Sequence, residues 1–170
     1  MYTIVNSKGY NMISKYIAKD YSIAQLAYLA GILDGEGCFV IGCYAFSKKT
    51  GVPHFHTTIQ VTSTDRILIE WLVDNFGGKL STYTAKQMAS NCKRVPFRWT
   101  IFSDRVKHLC ECTLPYLVIK KEQAQIMIDM RNTFERTRMQ KGQQGTQPID
   151  PDILKLRYEL FNQLKSLHIR

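Results

Sequence analysis

The sequence predicts an α+β fold: an αββαββα core with a four-stranded antiparallel sheet, followed by further C-terminal helices. Three observations lead to it. Segments with apolar residues at helical spacing alternate with pairs of strand-like runs. One of those runs, His54 to Ser63, alternates cleanly with period two, the mark of a half-buried antiparallel strand. Two hairpins separated by helices imply one antiparallel sheet with helices on one face, which leaves the other face polar and basic.

Residues 1–21 read as an N-terminal arm, with Lys8, Lys15 and Lys19 among scattered apolar residues. The first firm helix starts at Ser22, because Ser22-x-x-Gln25 matches a capping box. It runs through Leu26, Leu29, Ala30 and Leu33 and stops at the Gly35-Glu36-Gly37 turn. Ala27, Gly31 and Gly35 recur at spacing four, on one side of that helix. A glycine inside a helix costs roughly 1 kcal/mol relative to alanine, so a close approach by something else must offset it.

Cys38 to Ser47 reads as a strand, Lys48 to Pro53 as a polar turn, and His54 to Ser63 as the return strand. Phe55, Thr57, Ile59 and Val61 fall on one side; His54, His56, Thr58, Gln60 and Thr62 fall on the other. Almost all of that polar row can hydrogen-bond base edges, whereas an ordinary solvated face more often carries Lys and Glu. The pattern alone leaves both readings open. Asp65 to Phe76 is a helix closed by Gly77-Gly78. A strand from Lys79 to Ala85, a polar loop to Arg94 and a strand from Val95 to Phe102 follow. In the last strand Phe97, Trp99 and Ile101 alternate with Arg98 and Thr100.

A helix from Ser103 to about Cys112 leads to Leu114-Pro115-Tyr116, and Lys120 to Met139 is helical, ending in Arg131, Arg136 and Arg138. Gln140 to Pro148 is a polar linker. Asp150-Pro151 then opens a final helix, with Pro at its first position and an apolar stripe of Ile153, Leu156, Leu160, Leu164 and Leu167. The organisation is an arm (1–21), a core (22–139), and a linker with a C-terminal helix (140–170).

The chain has 170 residues, with 23 Lys and Arg against 14 Asp and Glu, a net charge of +9 and a pI near 9.4. Such a balance points to a polyanionic partner, nucleic acid being the commonest. Cys38, Cys43, Cys92, Cys110 and Cys112 form an odd set without a C-x-x-C pair, so neither a zinc site nor a disulfide framework is indicated. Buried free thiols in a reducing compartment fit better, and His108, Cys110 and Cys112 read as packing residues. The longest apolar run, Leu26 to Ala30, is too short to span a bilayer, and no signal-peptide core is present. An intracellular protein without a membrane partner is expected.

Leu29-Ala30-Gly31-Ile32-Leu33-Asp34-Gly35-Glu36-Gly37 resembles the LAGLIDADG signature, and the chain is similar to single-motif LAGLIDADG homing endonucleases. Helix–hairpin–helix–hairpin–helix order matches that family over residues 22–138. The run Pro115-Tyr116-Leu117-Val118-Ile119-Lys120-Lys121-Glu122-Gln123-Ala124 resembles its second landmark. The resemblance implies a curved sheet that binds double-stranded DNA. It also implies a homodimer, since only one motif is present, packed through Ala27, Gly31 and Gly35. The activity implied is Mg²⁺-dependent cutting of both strands of a long, approximately palindromic site, promoting mobility of the host intron. Mn²⁺ is an expected substitute, and Ca²⁺ is expected to support binding without efficient cleavage.

The same resemblance makes Glu36 the metal ligand, with the Gly35 carbonyl nearby, and Lys120 the basic residue at the water network or phosphate. Ser63 falls where relatives carry a longer polar residue in the water pocket, with Arg66 supplying charge there. Asp34, offset by two from Glu36, reads as a structural helix-end residue. DNA contacts are expected from Val40, Gly42, Tyr44, Phe46, Lys48 and Lys49 in the first strand and its turn. The return strand contributes His54, His56, Thr58, Gln60 and Thr62. The second hairpin offers Thr82, Thr84, Lys86, Arg98 and Thr100, and Lys121 lies beside Lys120. Strands of about nine residues at ~3.3 Å each, in two copies, cover roughly 18 base pairs. Two other readings share the fold: a maturase that binds the host intron RNA, and a DNA-binding repressor without cleavage, against which Glu36 argues. The compartment implied is a chloroplast or mitochondrion of an intron-bearing eukaryote, or the bacterial cytoplasm.

Overall fold

The structure, a computed structural model, describes residues 21–44, 53–83, 94–136 and 149–168. The residue-1–20 part of the arm, the linker at 140–148, and Phe46, Lys48, Lys49, Thr84, Lys86 and Arg138 lie outside the described residues.

Helix α1 (Ile23–Glu36) begins as its sequence dictates: Ser22 Oγ accepts from the Gln25 amide at 3.2 Å, and Gln25 Oε1 accepts from the Ser22 amide at 2.9 Å. It runs without a loop into strand β1 (Gly37–Tyr44). The join needs glycine, because a Cβ on Gly37 would lie 2.6 Å from the Leu33 carbonyl oxygen. Strand β2 (His54–Ser63) returns alongside β1. Helix α2 (Arg66–Phe76) is capped by Asp65, whose carboxylate accepts from the Ile67 and Leu68 amides. Gly77 and Gly78, at φ 69° and 95°, end it, and the Trp99 indole donates to the Gly77 carbonyl at 2.6 Å.

Strands β3 (Lys79–Thr82) and β4 (Phe97–Phe102) are shorter than the alternation suggests. Pro96, which has no amide N–H to give to a ladder, directly precedes β4. Helices α3 (Asp104–Thr113), α4 (Lys121–Arg136) and α5 (Pro151–Leu167) complete the chain. The sheet is antiparallel with order β1-β2-β4-β3. The fold is therefore α+β, with the αββαββα order the sequence implied.

Register sorts the two faces. Phe39, Ile59 and Ile101 stand opposite one another, as do Val61 and Trp99, and all five are buried under the helices. Leu29, Ala30 and Leu33 of α1, Leu72 of α2, Leu109 of α3 and Met127 of α4 close the same core. Helix α5 packs on α4 and β1. Its apolar stripe contains a residue the periodicity passed over. Arg157 is 3 % exposed; its Nε donates to Thr133 Oγ1 at 2.9 Å, an Nη2 N–H donates to the Thr133 carbonyl at 3.0 Å, and its guanidinium lies over Phe134. Burial, then the nearby Arg131 charge, lowers its pKa.

Candidate functional site

The motif turn is built by two partners far away in the chain. The Asp34 carboxylate accepts three backbone N–H groups, from Val118 at 2.9 Å, Ile119 at 3.2 Å and Lys120 at 2.9 Å. The Lys120 ammonium in turn donates to the Leu33 and Gly37 carbonyls, at 2.9 and 2.6 Å. The last carbonyls of a helix lack intrahelical donors and carry the negative end of its dipole, so a cation is favoured there. Asp34 and Lys120 thus bolt the 118–120 segment across the end of α1. Asp34 is structural, as its place in the motif suggested, but its partners lie 84 to 86 positions on, beyond any local pattern.

Glu36 is the last residue of α1, exposed, and without a hydrogen bond or ion pair among the described residues. A carboxylate at a helix C-terminus opposes the dipole, at a cost typically of ~0.3–1 kcal/mol. Residue choice against local energetics marks function more often than architecture. Its carboxylate oxygens are hard donors, the class of ligand that Mg²⁺ prefers. Among the described residues no group of three His, Cys, Asp or Glu side chains converges. Cys110 is buried, with its thiol pKa pushed up by burial, and Cys112 Sγ lies 3.8 Å from His108 Nε2.

Ala27, Gly31 and Gly35 lie on the exposed side of α1, opposite the buried Leu29, Ala30 and Leu33. A Cβ added at Gly31 or Gly35 would meet nothing within 4 Å. Packing among the described residues therefore does not use these small residues. Tyr28 and Ile23, exposed at 56 % and 71 %, extend the same uncovered helix surface.

On the sheet face away from the helices the register forms rows. Nearest the α1–β1 junction come Thr62, Arg98 and Ser81. The next row is Cys38, Gln60, Thr100 and Lys79; then Val40, Thr58 and Phe102; then Gly42 with His56; then Tyr44 with His54. The expected positions in β1 and β2 thus share one face. Thr82 is a correction: it pairs with Phe97 on the helix side, and Ser81 and Lys79 take the outer positions in β3. A phase error of one residue moves a side chain to the other face. Thr58 and Thr100 lie on the same face and are 4 % and 7 % exposed. Lys121 is exposed at the start of α4.

The His56 ring lies over Gly42, where a Cβ would fall 1.8 Å from its Cε1, and stacks on Tyr44 at 4.7 Å between centroids. Burial, then His54, lowers its pKa. Arg98 lies 4.3 Å over the Tyr83 ring. Ser63 accepts from the Asp65 amide at 3.0 Å, and Arg66 pairs with Glu70 at 2.7 Å. β1 pairing ends at Gly37 opposite Val61, so Ser63 stands at the junction end of the sheet. Beside that junction a cleft of about 500 Å³ is lined by Gly37, Cys38, Lys120, Glu122, Leu167 at the end of α5 and His168 just after it. Alternation from Val40 places Cys38 on the outer face; nothing local foretells the place of His168.

No helix among the described residues is long and apolar enough to cross a membrane. No family model and no curated protein matches the sequence. Solved structures do. The homing endonuclease I-CvuI, in complex with its target in the presence of Ca, matches with a TM-score of 0.67 at 17% identity, over 85% of this chain and 82% of that one. The homing endonuclease I-TnaI matches at 0.61 and 18% identity, over 89% of this chain and 100% of that one. The I-LtrWI LAGLIDADG homing endonuclease bound to target DNA matches at 0.59 and 17%, over 93% of this chain but 53% of that one. The chain has the LAGLIDADG homing endonuclease fold.

Proposed function

We propose that the chain is a site-specific DNA endonuclease that works as a homodimer with Mg²⁺, cuts both strands of a long, approximately palindromic site, and thereby promotes mobility of its host intron. The observation that carries this reading is Glu36, an exposed and unpartnered carboxylate at the foot of an exposed stripe of small residues. A second copy of α1 laid on Ala27, Gly31 and Gly35 would bring a second Glu36 beside the first. The comparisons fit such a half: the chain matches all of I-TnaI and about half of I-LtrWI.

Mg²⁺ held by Glu36 would supply Lewis acidity and a water of lowered pKa for phosphodiester hydrolysis. This chain's residues position the rest. Lys120 spends two N–H bonds on the Leu33 and Gly37 carbonyls, and a lysine has three, so one remains for a phosphate oxygen or its water. Asp34 fixes the backbone from which Lys120 reaches. Ser63 and Arg66 add polar groups at the same end of the sheet. Arg66 reaches DNA by leaving Glu70, an exposed pair of little net strength. The outer sheet face enters the major groove, where each base pair shows a distinct pattern.

Glu36→Gln preserves volume and the turn but removes the charged ligand. The variant should bind its site in Ca²⁺ at least as tightly as the parent and lose cleavage in Mg²⁺ by orders of magnitude. Cleavage at the parental rate on the same duplex would overturn the assignment.

A further inference from the structure

Four of the five outer rows of the sheet present hydrogen-bonding groups or a glycine under an imidazole. The row Val40–Thr58–Phe102 does not. Phe102 is 47 % exposed and Val40 half-buried, while Thr58 lies between them as a floor at 4 % exposure. The one hydroxyl of the row accepts from Gln60 Nε2 of the adjacent outer row at 3.4 Å, and its residue is almost fully buried. The accessible surface of this row is carbon, on a face of a chain whose net charge is +9. The helices cover the opposite face, and on this one Phe102 is the exposed apolar side chain of the row.

A strand pair seated in a major groove meets base edges, and among the ordinary bases the apolar group offered there is the C5 methyl of thymine. Resting on the DNA-binding reading above, we propose that Val40 and Phe102 form a methyl reader. It selects thymine, or equally 5-methylcytosine, at one position of each half-site, between the pairs facing Gln60 and His56. The flanking rows set that position. Rows two residues apart along a strand are ~6.6 Å apart, about two base-pair steps, so each row addresses its own part of the site.

The test starts with the full chain selecting sites from a randomised duplex library in Ca²⁺. Each thymine of the selected duplex is then replaced singly by deoxyuridine, which removes the methyl and nothing else. At one position per half-site, deoxyuridine should weaken binding about three- to fivefold, the effect of one methyl-sized group returned to water. 5-Methylcytosine paired with guanine at that position should bind better than unmethylated cytosine. Phe102→Ser, and independently Val40→Thr, should shrink the thymine–deoxyuridine difference there and leave other positions unchanged. Deoxyuridine that is neutral everywhere, or a difference that persists in both variants, overturns the methyl reader alone. Failure to select any duplex overturns the DNA-binding reading and this inference with it.

Discussion

Lys120 illustrates how a single residue is given two jobs by its surroundings. Its backbone N–H is one of three held by Asp34, and its ammonium donates to the Leu33 and Gly37 carbonyls at the α1–β1 junction. Lys120→Met keeps the length of the side chain and removes the charge. It should lower the cleavage rate at saturating DNA by well over tenfold while changing site affinity less than threefold, read by single-turnover kinetics beside equilibrium binding. Asp34→Asn should act in the same direction through position. The amide accepts weakly where a carboxylate accepted three N–H groups, and hydrogen bonds to charged groups are worth ~1.5–3 kcal/mol each. The folded state should therefore also melt lower, a loss that Lys120→Met is not expected to match. Equal melting and equal cleavage losses in the two variants would contradict this division of roles.

Elements were legible wherever the signal was local. Ser22 with Gln25 announced the start of α1, Asp65 that of α2 and Gly77-Gly78 its end, and each makes the bonds its motif requires. Alternation placed β2 correctly because its two faces differ in polarity along its length, and pairing with β2 sets the phase of the apolar β1. It failed at Thr82, where β3 is four residues long and Lys79, Ser81 and Thr82 give no contrast between faces. Arg157 escaped for a related reason: periodicity assigns a face, but a charge on that face is explained only by Thr133 and Phe134 on another helix. Of the candidate site, Glu36 and Lys120 were visible through the two motifs, whereas the bolt that joins them depends on packing. The junction between α1 and β1 carries a sharp test. Gly37→Ala places a Cβ at 2.6 Å from the Leu33 carbonyl oxygen and 2.8 Å from Leu33 Cα, both backbone atoms that cannot turn aside. It should cost about 1–3 kcal/mol by overpacking, seen as a lower denaturation midpoint at unchanged slope. A neutral Gly37→Ala would mean that the helix-to-strand passage is less tight than its geometry indicates.

For the whole molecule the decisive question is what covers the open side of α1. Gly31 and Gly35 weaken the helix, yet among the described residues no neighbour needs either of them. Consequently Gly31→Ala should not disturb the fold of one protomer and should favour its helix by roughly 1 kcal/mol through propensity. Gly31→Leu differs only in what it does to an approaching backbone. With open space around the site, the monomer accommodates the added side chain, but two α1 helices meeting at this stripe are forced apart. The expected outcome is a chain with parental circular dichroism that sediments as a monomer at micromolar concentration, where the parent sediments as a dimer. That monomer should lose double-strand cleavage, since each chain carries one Glu36 and each cut strand needs a centre. Two observations would sink the arrangement: a parent that is monomeric on its own DNA site, or a Gly31→Leu protein that dimerises and cuts both strands as the parent does. A variant that fails to fold would contradict the open space around the Gly31 Cβ position, so Gly31→Ala, which adds a single methyl, separates an error in the monomer from an error in the dimer.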